Sequence, residues 1–485
     1  MRVSVLNPPY LPLYSRSSRS PAVTKSRTLY YPYWLAYAVG VLEADGFEVQ
    51  FIDAPAGGLE AEETLKRVAD FSPALVVADA TTPSFYSDAE LTGRIKAATG
   101  AVTMLVGTHV SATAQESLEA APGVDLIARC EYDYIVRDAA RALREEAGWG
   151  EVKGLSFRSG GEIIHNEAMP FISNLDDLPF VSKVYQRHLS GCYTAYFYGA
   201  NLHPIMVILS GRGCPFGCHY CLYPQVMTGQ GFRTRSVGDF VDELVFIKEA
   251  FPRVRDVFIE DDTFTLNRRR TQAICQEILS RGLKTTWSAN ARADADLETL
   301  GLMKEAGCRE LCVGFESGDQ DILDQMGKRL TLEEQRAFMA AAKKIGIIVH
   351  GCFLVGNPGE TEESLARTLA VALALNPDTA QFYPIMVYPG TKAFAWAEEK
   401  GYLTTRRWDE WLTPEGLHNS VVQQPSLSHE RLTAWCDMAR RAFYLRPSYL
   451  AAKVWQSLRH PQEGKRIVKA AAALSGHLAR RSGRP

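Results

Sequence analysis

Three cysteines stand close together near the middle of the chain, at Cys214, Cys218 and Cys221, in the spacing C-x3-C-x2-C. Three thiolates at this spacing can ligate three irons of a [4Fe–4S] cluster, because each cluster iron takes one sulfur ligand from the protein. No fourth cysteine is near them in the sequence, so one iron stays open to a substrate or cofactor. A zinc ion would normally recruit a fourth ligand, for which His219 is a candidate, and a loop without metal is the third alternative.

The residues before the cysteines predict how this loop is positioned. Residues 205–210 (IMVILS) form a short apolar run that is typical of a buried strand. Gly211, Gly213 and Gly217 then make the loop conformationally permissive. A strand end followed by a cofactor-binding loop is where a parallel α/β barrel keeps its active site, so we expect the cysteines at the mouth of such a barrel.

With these neighbours, the cysteine motif resembles that of the radical S-adenosylmethionine (SAM) superfamily. The resemblance implies that the amino and carboxylate groups of SAM chelate the open iron. It also implies that an electron from the cluster cleaves a C–S bond of SAM to yield a 5′-deoxyadenosyl radical. The expected electron donor is a reducing partner of the flavodoxin or ferredoxin type.

The pattern of apolar runs divides the chain into four parts of an α/β protein. Residues 1–150 alternate strand and helix signals, which predicts a doubly wound, Rossmann-like parallel sheet. Residues 151–203 are interpreted as a connector that contains a hairpin. Residues 204–390 give six strand–helix units, the partial (β/α)6 barrel expected of radical SAM proteins, and residues 391–485 predict a helical, basic C-terminal region.

Loops of small and polar residues follow the strands predicted in the first domain, at residues 3–6, 49–53, 75–79, 103–106 and 126–128. Ligands of doubly wound sheets bind at this edge. The two domains together resemble the class of radical SAM proteins that carry a cobalamin-binding domain, and the resemblance covers nearly the whole chain. It implies that these loops contact cobalamin, through Thr81, Thr82, Pro83, Ser84, Gly107, Thr108, His109 and Glu131.

The first domain departs from one cobalamin pattern. Mutase-type domains carry Asp-x-His-x-x-Gly, whose histidine is the lower axial cobalt ligand, and this chain lacks that motif. His109 follows Gly107 and Thr108 without the aspartate. We therefore expect cobalamin to bind without a histidine ligand. A domain that has kept the fold and lost the cofactor, or a sheet that serves only as a scaffold, are the alternatives.

Three consecutive carboxylates, Glu260, Asp261 and Asp262, follow the second predicted barrel strand. Their mutual repulsion requires a cationic partner. The resemblance implies that this region binds the α-ammonium of SAM, because an ammonium group hydrogen-bonds well to carboxylates. The alternative is helix capping by Asp262 or Thr263.

Further candidates for SAM binding follow the next strands. Asn290 or Arg292 is expected to hold the SAM carboxylate, with a surface salt bridge as the alternative. Glu316, in the run GFESG, matches the family's acidic residue that accepts from the ribose hydroxyls. Gly356 matches a position where backbone approaches the adenine. Tyr220, which precedes Cys221, and Ser317, which follows Glu316, complete the set of SAM candidates.

Short strings elsewhere are similar to those of hopanoid-associated radical SAM proteins, at residues 31–36, 82–85, 124–129, 154–158, 233–236 and 443–447. The resemblance implies a radical rearrangement, the ring contraction of a sugar head group to a cyclitol ether, on a hopanoid or related lipid. The second interpretation is methyl transfer from methylcobalamin to an unactivated carbon of a natural product. The third is a non-catalytic iron–sulfur sensor.

Composition limits the remaining choices. A net charge of −3 over 485 residues indicates no global attraction to nucleic acid. Ten cysteines in a chain of this length do not indicate a disulfide scaffold. Cys275, Cys308, Cys312 and Cys352 are interpreted as buried small hydrophobes. No apolar run reaches the roughly 18 residues of a spanning helix, and we expect a cytoplasmic enzyme.

The C-terminal residues are strongly basic. From Arg446 onward the chain has nine Lys and Arg residues against one Glu. Residues 449–458 and 465–474 predict basic amphipathic helices, which can lie on an anionic membrane surface. Peripheral membrane contact and a lipid or natural-product substrate are therefore expected, with a solvated tail as the alternative.

Overall fold

The computed structural model describes residues 1–459 and residue 464. Two sheets follow one another along the chain, and a short two-stranded ribbon lies beside the second. The strands are β1 (Arg2–Asn7), β2 (Glu48–Asp53), β3 (Leu75–Asp79), β4 (Val102–Val106), β5 (Leu126–Ala128), β6 (Leu155–Ser159), β7 (Glu162–His165), β8 (Ile205–Ile208), β9 (Gly211–Arg212), β10 (Arg233–Thr234), β11 (Asp256–Ile259), β12 (Trp287–Ala291), β13 (Cys308–Glu316), β14 (Ile348–Val355) and β15 (Thr379–Pro384).

Helices follow most of these strands. In chain order they are α1 (Tyr33–Ala44), α2 (Ala54–Gly57), α3 (Ala61–Phe71), α4 (Phe85–Thr99), α5 (Thr108–Ala112), α6 (Ala114–Ala120), α7 (Asp133–Arg144), α8 (Val181–Val184), α9 (Leu222–Val226), α10 (Val237–Ala250), α11 (Arg268–Ser280), α12 (Leu297–Glu305), α13 (Gln320–Gln325), α14 (Leu332–Ile345), α15 (Glu362–Leu375), α16 (Lys392–Glu399), α17 (His429–Tyr444) and α18 (Pro447–Arg459).

Local sequence signals set the ends of the barrel helices. α14 begins at a capping box, in which the Thr331 side chain accepts from the Glu334 N–H and the Glu334 carboxylate accepts from the Thr331 N–H at 2.7 Å. It ends at Gly346, whose φ of 79° is the left-handed conformation that glycine adopts at low cost. Local sequence signals thus mark both ends of the helix predicted over residues 333–345.

The first sheet has the strand order β2-β1-β3-β4-β5-β6-β7. Its first five strands are parallel, which confirms the doubly wound fold. β3 is buried along its whole length, as expected for a strand that has helices on both faces. β6 and β7 form the hairpin of the predicted connector, and they pair antiparallel beyond β5, so they extend this sheet.

The second sheet is an all-parallel partial barrel with the order β15-β14-β13-β12-β11-β8, again as predicted. Its outward side chains pack on the surrounding helices: Phe315 stacks on Phe353 with ring centroids 5.7 Å apart and also contacts Phe338 of α14. Side chains alternate between the two faces of a strand. Because Phe315 faces the helices, Gly314 and Cys312 face the lumen of the barrel.

This alternation corrects part of the cysteine assignment. Cys275 and Cys308 are buried, as expected of small core residues. Cys312 and Cys352 are only half-buried, because they lie on the inner face of β13 and β14.

The residues after β15 close the open edge of the barrel. α17 packs across β15, where Trp435 and Phe443 contact Phe382 with ring centroids 5.9 and 6.2 Å away. α16, α17 and α18 agree with the predicted helical region. Residues 400–428 are largely irregular, with one short 3₁₀ turn, because Pro414 and Pro425 interrupt any helix.

The predicted basic helix at residues 449–458 lies within α18, whereas the one at residues 465–474 lies outside the described residues. Within the described part of the chain, no helix has the length and apolar character needed to cross a membrane.

Residues 8–32, between β1 and α1, pass between the two sheets and are called here the interdomain segment. Arg16 forms an ion pair of 2.5 Å with Asp88 on α4 of the first domain. Tyr31 donates a hydrogen bond of 2.9 Å to the carbonyl oxygen of Ile205, at the start of the barrel. The segment therefore contacts both domains.

Candidate active site

The three cysteines lie on a loop between β9 and α9. Gly213, at its start, has a φ of +90°, and a Cβ there would lie 2.1 Å from the carbonyl oxygen of Gly231, so only glycine fits. At the other end, the Cys221 N–H donates to the Cys218 carbonyl at 3.1 Å. The Gln225 side chain donates to the carbonyls of Cys218 and Cys221 at 3.2 and 2.8 Å. The backbone of the loop is thus fixed without use of the thiols.

All three of these thiols are free of disulfide bonds, and their spacing decides between the metals considered above. Among the described residues, no three ligand atoms from these cysteines and His219 lie within 4.8 Å of one another, as a single ion requires. The His219 ring lies 3.4 Å from the Met326 carbonyl, and burial lowers its pKa to about 4. Three separated thiols fit a cluster with one open iron and do not fit a mononuclear zinc site.

Two of the three carboxylates after β11 hold the polypeptide. Asp261 accepts from the backbone N–H groups of Ser210 and Gly211 at 2.6 and 3.0 Å, and thereby fixes the turn after β8. Asp262 accepts from the Gly213 N–H at 3.0 Å and so holds the start of the cysteine loop. The capping alternative is not formed, because Thr263 makes no side-chain cap at the turn that follows.

Glu260 is the carboxylate with an open oxygen. Arg19 of the interdomain segment forms an ion pair with it, donates to the carbonyls of Glu260 and Asp261 at 3.0 and 2.9 Å, and lies 3.4 Å from Asp262. Asn290 donates to the paired Glu260 oxygen at 3.2 Å, while the other oxygen is buried without a partner. Burial raises the pKa of Glu260, and Arg19 opposes that rise. Arg19 is the cation that the three carboxylates required.

Arg292 lies against the cysteine loop. Its guanidinium lies 3.5 Å from the centroid of the Phe216 ring and donates to the carbonyls of Lys328 and Arg329 at 2.8 and 2.9 Å. It also pairs with Asp294 at 2.9 Å. The salt bridge considered as an alternative is therefore present, and the same side chain positions one wall of the loop.

Glu316 is the second carboxylate with an open oxygen, at the end of β13. A Cβ at Gly314 would lie 2.1 Å from Glu316 Oε1, so the glycine lets this side chain fold back over its own strand. Oε1 accepts from the Tyr220 hydroxyl and from Lys328 Nζ, each at 2.9 Å. Oε2 is buried without a partner. Tyr220 therefore links the cysteine loop to Glu316, and no role was predicted for Lys328.

Ser317 and Gly356 are engaged in packing. The Ser317 hydroxyl accepts from the Asp319 N–H at 3.1 Å and lies 3.2 Å from the Thr368 hydroxyl. Gly356 has a φ of +92°, and a Cβ there would lie 2.8 Å from Leu432 of α17. The close approach of α17 accounts for this glycine, although the resemblance had assigned it to adenine.

The loops at the carboxyl edge of the first sheet are held by the interdomain segment. Thr81 bonds the Ser84 hydroxyl at 2.8 Å and the Tyr14 hydroxyl at 2.7 Å. Tyr10 donates to the carbonyl of Pro83 at 3.0 Å. Of the hydroxyl groups expected to contact cobalamin, those of Thr81 and Ser84 are thus already engaged with protein.

His109 is a packed, neutral side chain. Its Nδ1 lies 3.2 Å from the Thr82 hydroxyl, and its ring contacts Phe85 and Trp408 with centroids 4.7 and 5.2 Å away. Burial lowers its pKa to about 3. These contacts agree with the expectation that His109 is no cobalt ligand.

A small cavity of about 10 Å³ lies at this edge. It is lined by Arg16, Trp34, Asp79, Thr81, Gly107, Thr108, Tyr132, Tyr223 and Met227. The Trp34 indole N–H and the Tyr132 hydroxyl are buried without partners, and burial raises the pKa of Asp79 to about 7. The cavity itself has room for about one water molecule, and its open donors are of the kind that bond to amide oxygens, in which cobalamin is rich. No histidine is among these lining residues, which all belong to the described part of the chain.

Glu131, a further cobalamin candidate, joins the two domains. It accepts from Arg212 and Arg233 of the β9–β10 ribbon, each at 2.7 Å, and from the Ile172 N–H at 2.8 Å. The two guanidinium groups outweigh the effect of burial and lower the pKa of this carboxyl. Both of its oxygens are therefore occupied by protein.

Comparison with known families matches each domain separately. Residues 208–372 match the radical SAM superfamily, and residues 19–140 match the B12 binding domain. An uncharacterised methyltransferase of Pyrococcus horikoshii is 29% identical over 88% of this chain and 90% of the relative. The hopanoid C-3 methylase of Methylococcus capsulatus is 26% identical over 63% of this chain and 56% of the relative.

Solved structures share the arrangement of the two domains. The radical SAM methyltransferase TsrM from Kitasatospora setae, with cobalamin and a [4Fe–4S] cluster bound, has a TM-score of 0.66 at 19% identity over 83% of this chain and 79% of that one. The cobalamin-dependent radical SAM enzyme OxsB has a TM-score of 0.62 at 18% identity over 91% of this chain and 61% of that one. At these identities the likeness concerns the fold.

Residues 208–372 therefore form a domain of the radical SAM superfamily. Within this superfamily, the N-terminal B12 binding domain defines a cobalamin-dependent radical SAM enzyme whose cofactors are a [4Fe–4S] cluster, SAM and cobalamin. When bound, the cluster would supply the electron that starts the radical chemistry. The protein residues position these groups and exclude water.

Proposed function

We propose that the protein is a methyltransferase that uses radical SAM chemistry and cobalamin to methylate a carbon of a lipid or natural product. The observation that carries the proposal is the placement of α9. Cys221 precedes this helix directly, and Tyr223 and Met227 line the cavity at the edge of the first sheet. Methyl transfer between two cofactor sites requires that they adjoin, and here the two sites share one short helix as a wall.

Glu260 and Glu316 are the proposed SAM contacts. Each has one oxygen held by protein donors and one buried oxygen without a partner. Such carboxylates are oriented before the ligand arrives, which lowers the cost of binding. In this proposal Glu260 accepts from the ammonium group of SAM and Glu316 accepts from the ribose hydroxyls.

The named activities of two relatives support methyl transfer over rearrangement, while three other relatives are named magnesium-protoporphyrin IX monomethyl ester cyclases. The Pyrococcus relative is named a methyltransferase, and the Methylococcus relative is named a hopanoid methylase. Neither name describes the ring contraction of a sugar head group, so that expectation gains no support. The hopanoid methylase supports a polycyclic lipid as the substrate class.

The proposal is tested by anaerobic reconstitution with iron, sulfide and hydroxocobalamin, followed by metal analysis and incubation with methyl-labelled SAM. We expect about four irons and stoichiometric cobalt per chain, with label on the cobalamin. Reduction should release 5′-deoxyadenosine. Iron without cobalt would contradict the methyltransferase and would favour a rearrangement that does not use methylcobalamin.

The matched variants are Cys218→Ala, in the cluster loop, and Cys275→Ala, which removes a buried thiol from α11. Cys218→Ala is expected to abolish cluster assembly and deoxyadenosine release, because an iron loses its ligand. Cys275→Ala should retain both. A Cys218→Ala protein that is fully active and loaded with cluster would contradict every radical mechanism.

Access to a lipid is proposed to involve α18. Leu450, Val454 and Leu458 follow one another at helical spacing and are 50%, 62% and 73% exposed. These three side chains form the apolar stripe of an interfacial helix, and the basic residues around them form its charged face. Co-sedimentation with anionic phospholipid vesicles should fall for Leu458→Ser and stay unchanged for Leu297→Ser, an exposed leucine of α12. Equal binding by both variants would contradict this contact.

A further inference from the structure

A second group of metal-binding side chains lies inside the barrel, apart from the cysteine loop. Cys312 of β13 and His350 and Cys352 of β14 place one ligand atom each within 4.8 Å of the other two. All three are half-buried, whereas their neighbours Leu311 and Val313 are fully buried on the outer face. The strand alternation therefore directs this group into the lumen.

The distance between the two sulfurs distinguishes a disulfide from a pair of thiols that can bind a metal. Cys312 Sγ and Cys352 Sγ are 3.8 Å apart. A disulfide would bring them to about 2.05 Å, so they are two separate thiols. Two thiolates at about 2.3 Å from a tetrahedral zinc ion lie ~3.8 Å apart, which is the separation observed.

His350 is oriented by a neighbouring strand. Its Nδ1 lies 2.7 Å from the Thr379 hydroxyl on β15. Histidines that bind metals are commonly held in this way by a hydrogen bond at the other ring nitrogen, which fixes the tautomer. Nε2 lies 3.4 Å from Gln381 Oε1. With Thr379 accepting from Nδ1–H, a metal ion at Nε2 would replace this long contact.

We propose that Cys312, His350 and Cys352 form a zinc site in the barrel lumen, separate from the iron–sulfur cluster. Two thiolates and one neutral imidazole balance the charge of Zn²⁺ and supply three of its four ligands. Zinc sites with three protein ligands keep the fourth position for water or a substrate atom. The class of ligand is a borderline-soft divalent cation, because thiolates select against Mg²⁺ and Ca²⁺.

The site adjoins the SAM contacts. Gly314, over which the Glu316 carboxylate folds, is the ladder partner of Cys352. The fourth zinc position is thus able to take a nitrogen, oxygen or sulfur donor of a substrate bound beneath SAM. This role for the fourth position rests on the proposed function, whereas zinc binding does not.

The test uses the reconstituted holoenzyme, so that the cluster cysteines are occupied, with Zn²⁺ as the probe. We expect one zinc per chain after desalting, and zinc-edge X-ray absorption should show two sulfurs near 2.3 Å and nitrogen or oxygen near 2.0 Å. Cys312→Ala, His350→Gln and Cys352→Ala should lose the zinc and keep the cluster iron. Cys275→Ala should keep both.

Several outcomes would overturn the inference. They are a holoenzyme without zinc, zinc without sulfur ligands, zinc that persists in the Cys312 and Cys352 variants, and a Cys312–Cys352 disulfide found by mass spectrometry of anaerobic protein. The wild-type absorption spectrum decides the matter even if a variant fails to fold. Deoxyadenosine release, measured in the same samples, reports separately on the proposed function.

Discussion

The mouth of the barrel and the carboxyl edge of the first sheet both carry polar residues at the ends of parallel strands, yet they leave different groups open. At the barrel, Glu260 and Glu316 stand in the sequence motifs and also keep an open oxygen. At the first sheet, the hydroxyls of the motif loops bond to protein, and the open groups belong to Trp34 and Tyr132. The location of polar residues at the ends of strands predicts where a ligand binds. Which of these side chains binds it is indicated by the number of hydrogen-bond partners that each already has within the protein.

The largest expected effect concerns an open carboxylate. Glu316→Gln removes the charge that pairs with Lys328 and that is proposed to accept from SAM. Hydrogen bonds to charged groups contribute about 1.5–3 kcal/mol, so SAM affinity should fall about 10- to 100-fold. Anaerobic equilibrium dialysis measures it. Ser317→Ala should bind SAM nearly as wild type does, because its hydroxyl bonds within the protein. Equal losses of SAM affinity in the two variants would contradict the assignment of Glu316 as the SAM contact.

The cation beside the carboxylates offers the next test. Arg19→Ala leaves Glu260 and Asp262 without their cation, and we expect a loss of about 1–3 kcal/mol in the free energy of unfolding without SAM. If SAM brings its ammonium to Glu260, it should raise the Tm of Arg19→Ala more than that of wild type. Arg268→Ala, which breaks an exposed pair with Glu298, should show neither effect. Identical SAM-dependent shifts in wild type and Arg19→Ala would contradict the assignment of Glu260.

Cobalamin binding at the first sheet can be tested by substituting one residue with an unpartnered polar group and one residue whose side chain is packed. Tyr132→Phe removes a buried hydroxyl without a partner, and a neutral hydrogen bond of about 0.5–1.5 kcal/mol should make cobalamin binding several-fold weaker. His109→Gln should leave both the affinity and the absorption spectrum of bound cobalamin unchanged. A changed spectrum in His109→Gln would show that this histidine reaches the cobalt.

The last test is a pH dependence. Burial lowers the pKa of His109 from 6.5 to about 3, so the unfolded chain takes up this proton first as the pH falls. The stabilisation is complete above pH 6.5 and is lost toward pH 3, by at most about 1.4 kcal/mol per pH unit. Urea unfolding at pH 7 and pH 5 should therefore show a smaller loss for His109→Gln than for wild type. His203→Gln, at a half-buried histidine that lies 2.9 Å from the Thr194 carbonyl, should behave like wild type.

The sequence predicted those features that depend on near neighbours. The cysteine loop follows an apolar strand and contains Gly213, whose conformation only glycine can adopt there. Both parallel sheets followed from alternating strand and helix signals. In these cases the physical constraint acts between residues that are close in the chain, so the local sequence pattern predicts the structure.

Contacts between distant segments could not be predicted in this way. Arg19 reaches Glu260 across 241 residues, and no local pattern marks it as the required cation. Cys312 is flanked by Leu311 and Val313, so a strand with an apolar outer face conceals a lumen-facing thiol. Glu131 stands at a strand end typical of ligand binding, but it pairs with two arginines of the other domain.

The interdomain segment carries Arg16 and Arg19, separated by two serines. Arg16 pairs with Asp88 and lines the cavity of the first sheet, while Arg19 pairs with Glu260 at the barrel. If a ligand that displaces one arginine shifts the backbone between them, the position of the other arginine changes as well. Such coupling is reciprocal: the factor by which SAM changes the affinity for cobalamin is the factor by which cobalamin changes the affinity for SAM.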